Sequence, residues 1–164
     1  IESDDGLRFR VAGFFAEEHA DETAFLFEPD GAILGLVRGV PGASDTRVVR
    51  SVWPYHKWER ARTGVSVGGP LLFRWNGRTF AGGRRTEDDQ TSTWLWELEG
   101  KASLTPILEL PSAGDCSYPG AVPLFATLHH SSSYALLSRQ ALDPPDYHSC
   151  RRCETICRLC AALA

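Results

Sequence analysis

The sequence contains no methionine and begins at an isoleucine, so we expect it to be a fragment of a longer parent protein whose natural start lies upstream. It has no surplus of positive charge either: the formal net charge is −4, and little basic surface is available to displace phosphate counterions. Its apolar runs fall short of the roughly 18–20 residues that a membrane-spanning helix needs, and no secretory leader opens the chain. We therefore expect neither nucleic acid nor a membrane as the main partner, and the localisation stays open.

Cysteine is nearly absent from the body of the chain. Cys116 stands alone there, and the other four of the five cysteines fall in the last fifteen residues. The body is therefore expected to depend on neither disulfides nor a metal ion. Cys116 has a neighbouring aspartate but no histidine in a recognisable pairing, so we do not expect it to be a nucleophile.

The tail, residues 143–164, concentrates cysteine and arginine. Four thiols are enough for zinc or an iron–sulfur cluster, but on a helix they would spread over about 15 Å at 1.5 Å per residue, too far for one tetrahedral ion. We therefore expect no metal and no cofactor, and we treat His129-His130 as structural because no ligand spacing surrounds the pair. The four thiols belong to Cys150, Cys153, Cys157 and Cys160.

What the sequence does contain is a repeat of forty-six residues. Thr23–Arg38 reads TAFLFEPDGAILGLVR, and Gly69–Arg84 reads GPLLFRWNGRTFAGGR. Each copy has an apolar strand, an Asp-Gly or Asn-Gly turn and a second apolar strand, which predicts a β-hairpin. Short strands that recur every roughly 40–50 residues are typical of β-propeller blades. Core packing explains the matching leucines and phenylalanines, but not an arginine at the end of each hairpin.

The remaining segments up to Phe125 also have the patterns of strands and turns. Alternating or continuous apolar residues favour strands, and helical periodicity is scarce before residue 130. The sequence therefore predicts an all-β fold, a partial β-propeller of about three blades, over residues 1–142. In chain order these segments are a turn at Ser3–Phe9, a strand at Asp45–Val52, an aromatic-rich turn at Ser51–Trp58, strands at Thr91–Leu98 and Leu104–Leu110, and a third unit at Asp115–Phe125.

The pattern weakens after Pro123. The Asp-Gly or Asn-Gly turn expected near that residue is missing, and residues 126–164 show no clean alternation. Clusters of Arg, Cys and Ala of this kind also arise when a GC-rich gene is read out of frame. We therefore separate residues 143–164 as a tail that is irregular, disordered, helical or out of frame.

Together these motifs resemble the second half of a six-bladed β-propeller of the sialidase superfamily, with the greatest likeness to bacterial exo-α-sialidase-like proteins. The resemblance covers about residues 3–123 and rests on SDDGLRF, DETAFLFEPDGAILGLVR, SVWPYHKWER, GGPLLFRWNGRTFAGGR and LPSAGDCSYPG, in that order. The family's Asp box, or BNR repeat, is Ser-x-Asp-x-Gly-x-x-Trp or Phe. Ser3–Phe9 is one residue short of it, and Ser51–Trp58 has Trp53 and Tyr55 where Asp and Gly belong. In the family these boxes are structural turns remote from the chemistry.

The resemblance implies a clamp for a carboxylate. Sialic acid carries a carboxylate on its anomeric carbon, and planar guanidinium groups bind carboxylates bidentately. The family uses three arginines for this purpose, and Arg38 and Arg84 match two of them, with Arg85 as an alternative to Arg84. Surface arginines at strand ends are the structural alternative.

The resemblance also implies a tyrosine nucleophile. Tyr118, in the segment CSYPG, matches that nucleophile, and Glu22 matches its partner glutamate. Sialidases are an exception to the two-carboxylate rule of glycosidases, because the substrate's own carboxylate would repel a carboxylate nucleophile but not a neutral phenol. A phenol with a pKa of about 10 needs a nearby base to attack. A turn tyrosine packed beside Pro119 and a solvated glutamate are the structural alternatives.

The family's first arginine and its acid/base aspartate have no counterpart in this sequence and are expected upstream. Without the general acid a glycosidase typically loses roughly 10²–10⁴-fold in rate, so we expect this chain alone to be inactive. The expected parent is a sialidase-like glycoside hydrolase that removes terminal sialic acid or a related acidic sugar from a glycan, and its missing N-terminal blades are the expected partner of this chain. Two alternatives stay open: a non-catalytic carbohydrate-binding or scaffolding propeller, and a propeller glycosidase that acts on neutral sugars with two carboxylates.

Overall fold

The computed structural model describes residues 1–40, 45–110, 116–125, 132–140 and 157–158. Within them the chain forms eleven β-strands and no helix. Every pairing between these strands is antiparallel. The all-β prediction is therefore confirmed for the part of the chain that the structure describes.

The first sheet has four strands that follow one another in chain order. They are β1 Ala20–Phe27, β2 Ile33–Gly39, β3 Arg47–Ser51 and β4 Glu59–Arg62. The strand predicted at Asp45–Val52 is β3, and the aromatic-rich turn joins β3 to β4. Within this turn Ser51 Oγ donates a hydrogen bond of 2.6 Å to Lys57 O, which ties the two ends of the turn together.

The second sheet repeats this order with four strands of 8 to 10 residues. They are β5 Gly68–Trp75, β6 Arg78–Glu87, β7 Gln90–Glu99 and β8 Ser103–Leu110. Asn76 and Gly77 alone connect β5 to β6, with φ angles of 48° and 76°. Positive φ at both central residues is the type I′ turn that fits the twist of a hairpin, so the Asn-Gly pair has the predicted role.

The connection in the first hairpin is longer than predicted. Residues 28–32 separate β1 from β2, and Glu28 N donates to Ala32 O at 2.8 Å across the base of this loop. Gly31, with φ of 80°, takes the left-handed position inside the loop. Pro29 has no N–H to donate to the ladder, so the strand ends before the Asp-Gly pair instead of continuing up to it.

The third sheet lies in the C-terminal part of the chain, where the sequence pattern weakens. Its strands are β9 Cys116–Phe125, β10 Ser132–Gln140 and β11 Cys157–Arg158, in the order β11-β10-β9. The sequence of β10 has no clean alternation, and pairing with β9 stabilises it as a strand. In the tail, Cys157-Arg158 pair with β10 as a strand and not as a helix. The residues His129, His130, Cys150, Cys153 and Cys160 lie outside the described part, so their predictions stay predictions.

The core lies on both faces of the second sheet. Successive side chains of a strand point to opposite faces, and on β6 Ala81 packs towards the first sheet while Phe80 packs with residues that include Ala121 of β9. The cluster between the first two sheets includes Leu34, Leu36, Val48, Leu72, Ala81, Trp96 and Leu104, and the other includes Phe73, Trp75, Phe80, Leu95 and Leu110. The second sheet therefore lies between the other two, and its first strand β5 contacts both β1 and β9.

A closed turn precedes the first sheet. Asp5 Oδ1 accepts hydrogen bonds from Leu7 N and Arg8 N, both at 2.8 Å. An antiparallel bridge between Glu2 and Arg10 joins the two ends of the turn. The turn predicted at Ser3–Phe9 is therefore present, and an aspartate side chain organises its backbone as in an Asx-turn.

Candidate functional site

The candidate site is centred on the carboxylate of Glu22. Glu22 lies near the start of β1, and its Oε1 accepts a hydrogen bond from the Tyr118 hydroxyl, near the start of β9. These two residues are ninety-six positions apart in the sequence. They meet because the first strands of the three sheets lie side by side, with β5 between β1 and β9.

The second oxygen of the same carboxylate is held by the two neighbouring strands. Glu22 Oε2 accepts a hydrogen bond of 2.9 Å from Gly69 N of β5 and lies 3.1 Å from Arg38 Nη1 of β2. Arg38 Nη1 also lies 3.7 Å from Asp21 Oδ2. Both oxygens of Glu22 are therefore bonded, and each of the three sheets contributes a contact to it.

An irregularity in the first hairpin places the two carboxylates opposite one arginine. Ala20 pairs with Gly39 and Thr23 with Val37, so Asp21 and Glu22 together face Arg38 alone. Two residues opposite one is the definition of a β-bulge, which changes the direction in which side chains leave the strand. The bulge allows both acidic side chains to reach the same guanidinium, which a regular alternation would not permit.

The structure separates the two adjacent arginines of β6. Arg84 pairs across the hairpin with Gly68, and a Cβ atom added to Gly68 would lie 3.1 Å from Arg84 Nε. Its positive charge acts to lower the pKa of Tyr118, so it lies within electrostatic reach of the phenol. Arg85 instead stacks over the ring of Trp94 at 5.2 Å and pairs with Glu87 at 2.8 Å. Of the two alternatives in the sequence, Arg84 is therefore the one that belongs to the candidate site.

Tyr118 itself is exposed and has an unusual backbone. Its side chain and backbone together retain 64% of their accessible surface, and its φ is 57°. Left-handed backbone is uncommon for a residue with a bulky side chain and is found often at functional sites. An exposed phenol held by one hydrogen bond is accessible to a ligand, whereas a tyrosine used only for packing would be buried.

The electrostatics of the pair favour a neutral phenol beside an ionised carboxylate. Burial acts to raise the pKa of Glu22, but hydrogen bonds from Tyr118, Gly69 and Arg38 outweigh it, and the net pKa is lowered. The hydrogen bond to Glu22 and the negative charge of Glu22 raise the pKa of Tyr118, and the charges of Arg38 and Arg84 oppose this shift. Glu22 is therefore an ionised hydrogen-bond acceptor at neutral pH, in place to take the phenolic proton.

Two members of this cluster were not found by sequence reasoning. Gly69 contributes only its N–H, so no side-chain motif points to it, although paired glycines inside an apolar strand do indicate a close approach of another group. Asp21 adds a second carboxylate near Arg38, and its position beside Glu22 was its only signal. Within the described ranges, no group of three or more His, Cys, Asp and Glu side chains is arranged to hold a metal ion.

Comparison with known proteins does not identify the chain. No protein-family model matches it, and no curated protein sequence matches it significantly. The function is therefore inferred from the geometry of the site and from the resemblance in its motifs.

The described residues contain no helix that is long and apolar enough to cross a membrane.

Proposed function

We propose that this chain carries the nucleophile, its base and two carboxylate-binding arginines of a sialidase-like glycoside hydrolase. The substrate is a glycan with a terminal sialic acid or a related acidic sugar, cleaved with retention through a tyrosyl intermediate. One observation carries the proposal: the Tyr118 hydroxyl donates to Glu22, and Arg38 lies 3.1 Å from the same carboxylate. A phenol, a base and cations around it are the groups that the nucleophilic part of this reaction requires, and the general acid is expected upstream.

The proposed reaction begins with the pair. The Tyr118 oxygen attacks the anomeric carbon and its proton moves to Glu22, while the bond to the leaving group breaks and the departing oxygen, which takes the electron pair, receives a proton from the acid/base aspartate expected upstream. Water then attacks the anomeric carbon and loses a proton to that same aspartate, and Glu22 returns its proton to the departing Tyr118 oxygen, so that two displacements give retention. The carboxylate of the sugar is bound by Arg38 and Arg84. Arg38 uses Nη1 for both of its ion pairs, and a guanidinium has five N–H donors, so others can address a ligand.

The sheets are proposed to be blades of a β-propeller. Each of the first two is a four-stranded antiparallel meander, and the first strands of the three sheets are neighbours, as they are around a propeller axis. The turns at Ser3–Phe9 and Ser51–Trp58 are proposed as degenerate Asp boxes. The second of these joins β3 to β4, and the first is closed by an antiparallel bridge between Glu2 and Arg10.

An activated donor tests the nucleophile without a general acid. Fluoride leaves without protonation, so 3-fluorosialyl fluoride needs only the nucleophile and the clamp, and its second fluorine slows breakdown of the covalent intermediate. We expect intact-protein and peptide mass spectrometry to find one sialyl adduct on Tyr118. Tyr118→Phe should abolish it, whereas Tyr55→Phe should not, because the Tyr55 hydroxyl is bonded to Gly31 O in the first sheet.

The other outcomes separate the alternatives. Binding of sialic acid without any adduct favours the non-catalytic carbohydrate-binding protein. An adduct with 2-deoxy-2-fluoroglucosyl fluoride instead of the sialyl donor favours a glycosidase for neutral sugars. An adduct that persists in Tyr118→Phe contradicts the assignment of the nucleophile.

A further inference from the structure

A fully buried hydroxyl connects the first sheet to the second close to the candidate site. Thr46 lies just before β3 and is 0% exposed. Its Oγ1 accepts a hydrogen bond of 2.8 Å from Val67 N and lies 3.5 Å from Val67 O, to which it can donate. One hydroxyl therefore satisfies both backbone groups of a residue that is itself fully buried. A side chain without a hydroxyl would leave the buried N–H unpaired, which is unfavourable.

The segment that this hydroxyl holds is the one that contacts the site. Val67 leads directly into Gly68, the cross-strand partner of Arg84. The next residue is Gly69, with φ of 55°, whose N–H donates to Glu22 Oε2 at 2.9 Å. A shift of Val67 would therefore move the backbone groups beside both Glu22 and Arg84.

The same segment is confined from the opposite side by β6. A Cβ atom added to Gly83 would lie 2.5 Å from Val67 Cγ1 and 2.8 Å from Gly68 O, which only glycine permits. The anchor is fixed as well, since Thr46 O accepts hydrogen bonds from Thr63 N at 3.0 Å and Thr63 Oγ1 at 2.9 Å. The backbone before Gly69 is therefore held by hydrogen bonds to Thr46 and packed closely against Gly83.

We infer that Thr46 is a positioning residue for Glu22: by holding Val67 it fixes Gly69, whose N–H sets the place of the Glu22 carboxylate. Only the catalytic consequence of this inference rests on the proposed function, because the hydrogen bonds between Thr46 and Val67 do not depend on what reaction the site performs. Thr46 touches neither Tyr118 nor the arginines in any described hydrogen bond, and it acts through Val67 and Gly69.

Thr46→Val tests this role because it removes the hydroxyl and nearly preserves the shape. We expect the Glu22 pKa, followed by carbon NMR of the side-chain carboxyl, to rise from its lowered position, since the bond from Gly69 weakens. Adduct formation with 3-fluorosialyl fluoride should slow roughly tenfold, because misplaced catalytic groups lose rate steeply. Thr46→Ser retains the hydroxyl and should restore both.

The matched control is Ser51→Ala, which removes another buried hydroxyl at the far end of β3. Ser51 is 3% exposed and donates to Lys57 O at 2.6 Å, with no bond to the second sheet. It should lower the unfolding temperature and leave the Glu22 pKa unchanged. If Thr46→Val behaves like this control, Thr46 is structural only and the inference is wrong.

Two further outcomes are informative. In one of them, Thr46→Val shifts the Glu22 pKa, but the wild-type chain itself forms no adduct with 3-fluorosialyl fluoride. This result supports the positioning role of Thr46 and contradicts the proposed function. If the valine variant does not fold, Thr46→Cys replaces it, because a thiol is a weak hydrogen-bonding group. A smaller shift of the Glu22 pKa in the same direction supports the inference, and no shift overturns it.

Discussion

The two copies of the forty-six-residue repeat present an arginine at the same point of each hairpin but surround it differently. In the first hairpin the bulge sets Asp21 and Glu22 opposite Arg38. In the second hairpin the irregularity lies between Gly68 and Leu71, and Arg84 faces Gly68. The first hairpin therefore supplies carboxylate side chains, and the second supplies a backbone N–H at Gly69 that binds one of them.

This difference shows how one hairpin pattern gives two kinds of contribution to a site. The glycines of the second copy let its backbone approach closely: a Cβ on Gly82 would lie 3.3 Å from Pro119 Cγ, beside the proposed nucleophile. A side chain at Gly68 would meet Arg84 at 3.1 Å. Glycine is favoured wherever the backbone approaches another group closely. The second hairpin therefore contributes space and a backbone N–H donor, whereas the first contributes charged carboxylates.

The largest effect is expected from the Glu22 carboxylate, which the first hairpin has and the second lacks. Glu22→Gln removes the proposed base, and adduct formation with the activated sialyl donor should fall roughly 10²–10⁴-fold, the usual contribution of general base catalysis. The Tyr118 pKa, measured by NMR titration, should fall because its hydrogen bond to an anion is lost. Asp21→Asn is the matched control, since Asp21 lies 3.7 Å from Arg38 and has no described hydrogen bond to Tyr118, and its effect should be much smaller. Equal effects of both variants would contradict the distinct role of Glu22.

A smaller effect is expected from replacing the two arginines, and it should differ between copies. Arg38→Lys and Arg84→Lys should each weaken binding of N-acetylneuraminic acid roughly 10–100-fold, the range for hydrogen bonds to charged groups. Only Arg38→Lys should also move the Glu22 pKa, because Arg38 lies 3.1 Å from that carboxylate. Isothermal titration and carbon NMR measure the two quantities.

Arg85→Lys is the control for this pair of variants. Arg85 stacks on Trp94 and pairs with Glu87. It should leave binding of the sugar within twofold of wild type. If Arg85→Lys greatly weakens sugar binding and Arg84→Lys does not, Arg85 and not Arg84 is the arginine that binds the carboxylate of the sugar.

Sequence reasoning predicted correctly the strands that have strong local signals. The apolar runs and the Asn-Gly pair of the second hairpin determine its turn and register almost alone, because a type I′ turn fixes the pairing of its strands. It placed the first turn imperfectly, since Pro29 interrupts the ladder before the Asp-Gly pair. It missed β10, whose strand depends on pairing with β9 and not on its own alternation.

The site was accessible to sequence reasoning only in part. The motif resemblance selected Glu22, Arg38, Arg84 and Tyr118, and the structure brings Glu22, Arg38 and Tyr118 into direct contact. No motif could reveal the bond from Gly69, because a backbone N–H has no residue-type signature. The choice between Arg84 and Arg85 also required the structure, since adjacent residues of a strand point to opposite faces and only the pairing decides which face meets the site.

The smallest expected effect is on the free energy of unfolding in acid. Here one ion pair of the first sheet is compared with one of the second. Burial raises the pKa of Glu22, but its hydrogen bonds lower it overall, and the hydrogen bond from Arg78 lowers the pKa of Glu97 in the second sheet. Both carboxylates therefore have folded-state pKa values below the unfolded value of about 4.3. Their ionised forms contribute stability that is fully present above that value and is lost as the pH falls through the folded-state pKa.

Unfolding by urea between pH 2 and pH 7 measures this contribution. Glu22→Gln and Glu97→Gln should each flatten the decline of the free energy of unfolding below about pH 4.3. The two effects should add in the double variant, because the pairs share no partner and lie in different sheets. Because Glu22 is bonded to three groups from three sheets, whereas Glu97 is held by Arg78 within one sheet, Glu22→Gln should flatten the decline more. A larger effect at Glu97 would mean that the bonds converging on Glu22 contribute little to holding the three sheets together.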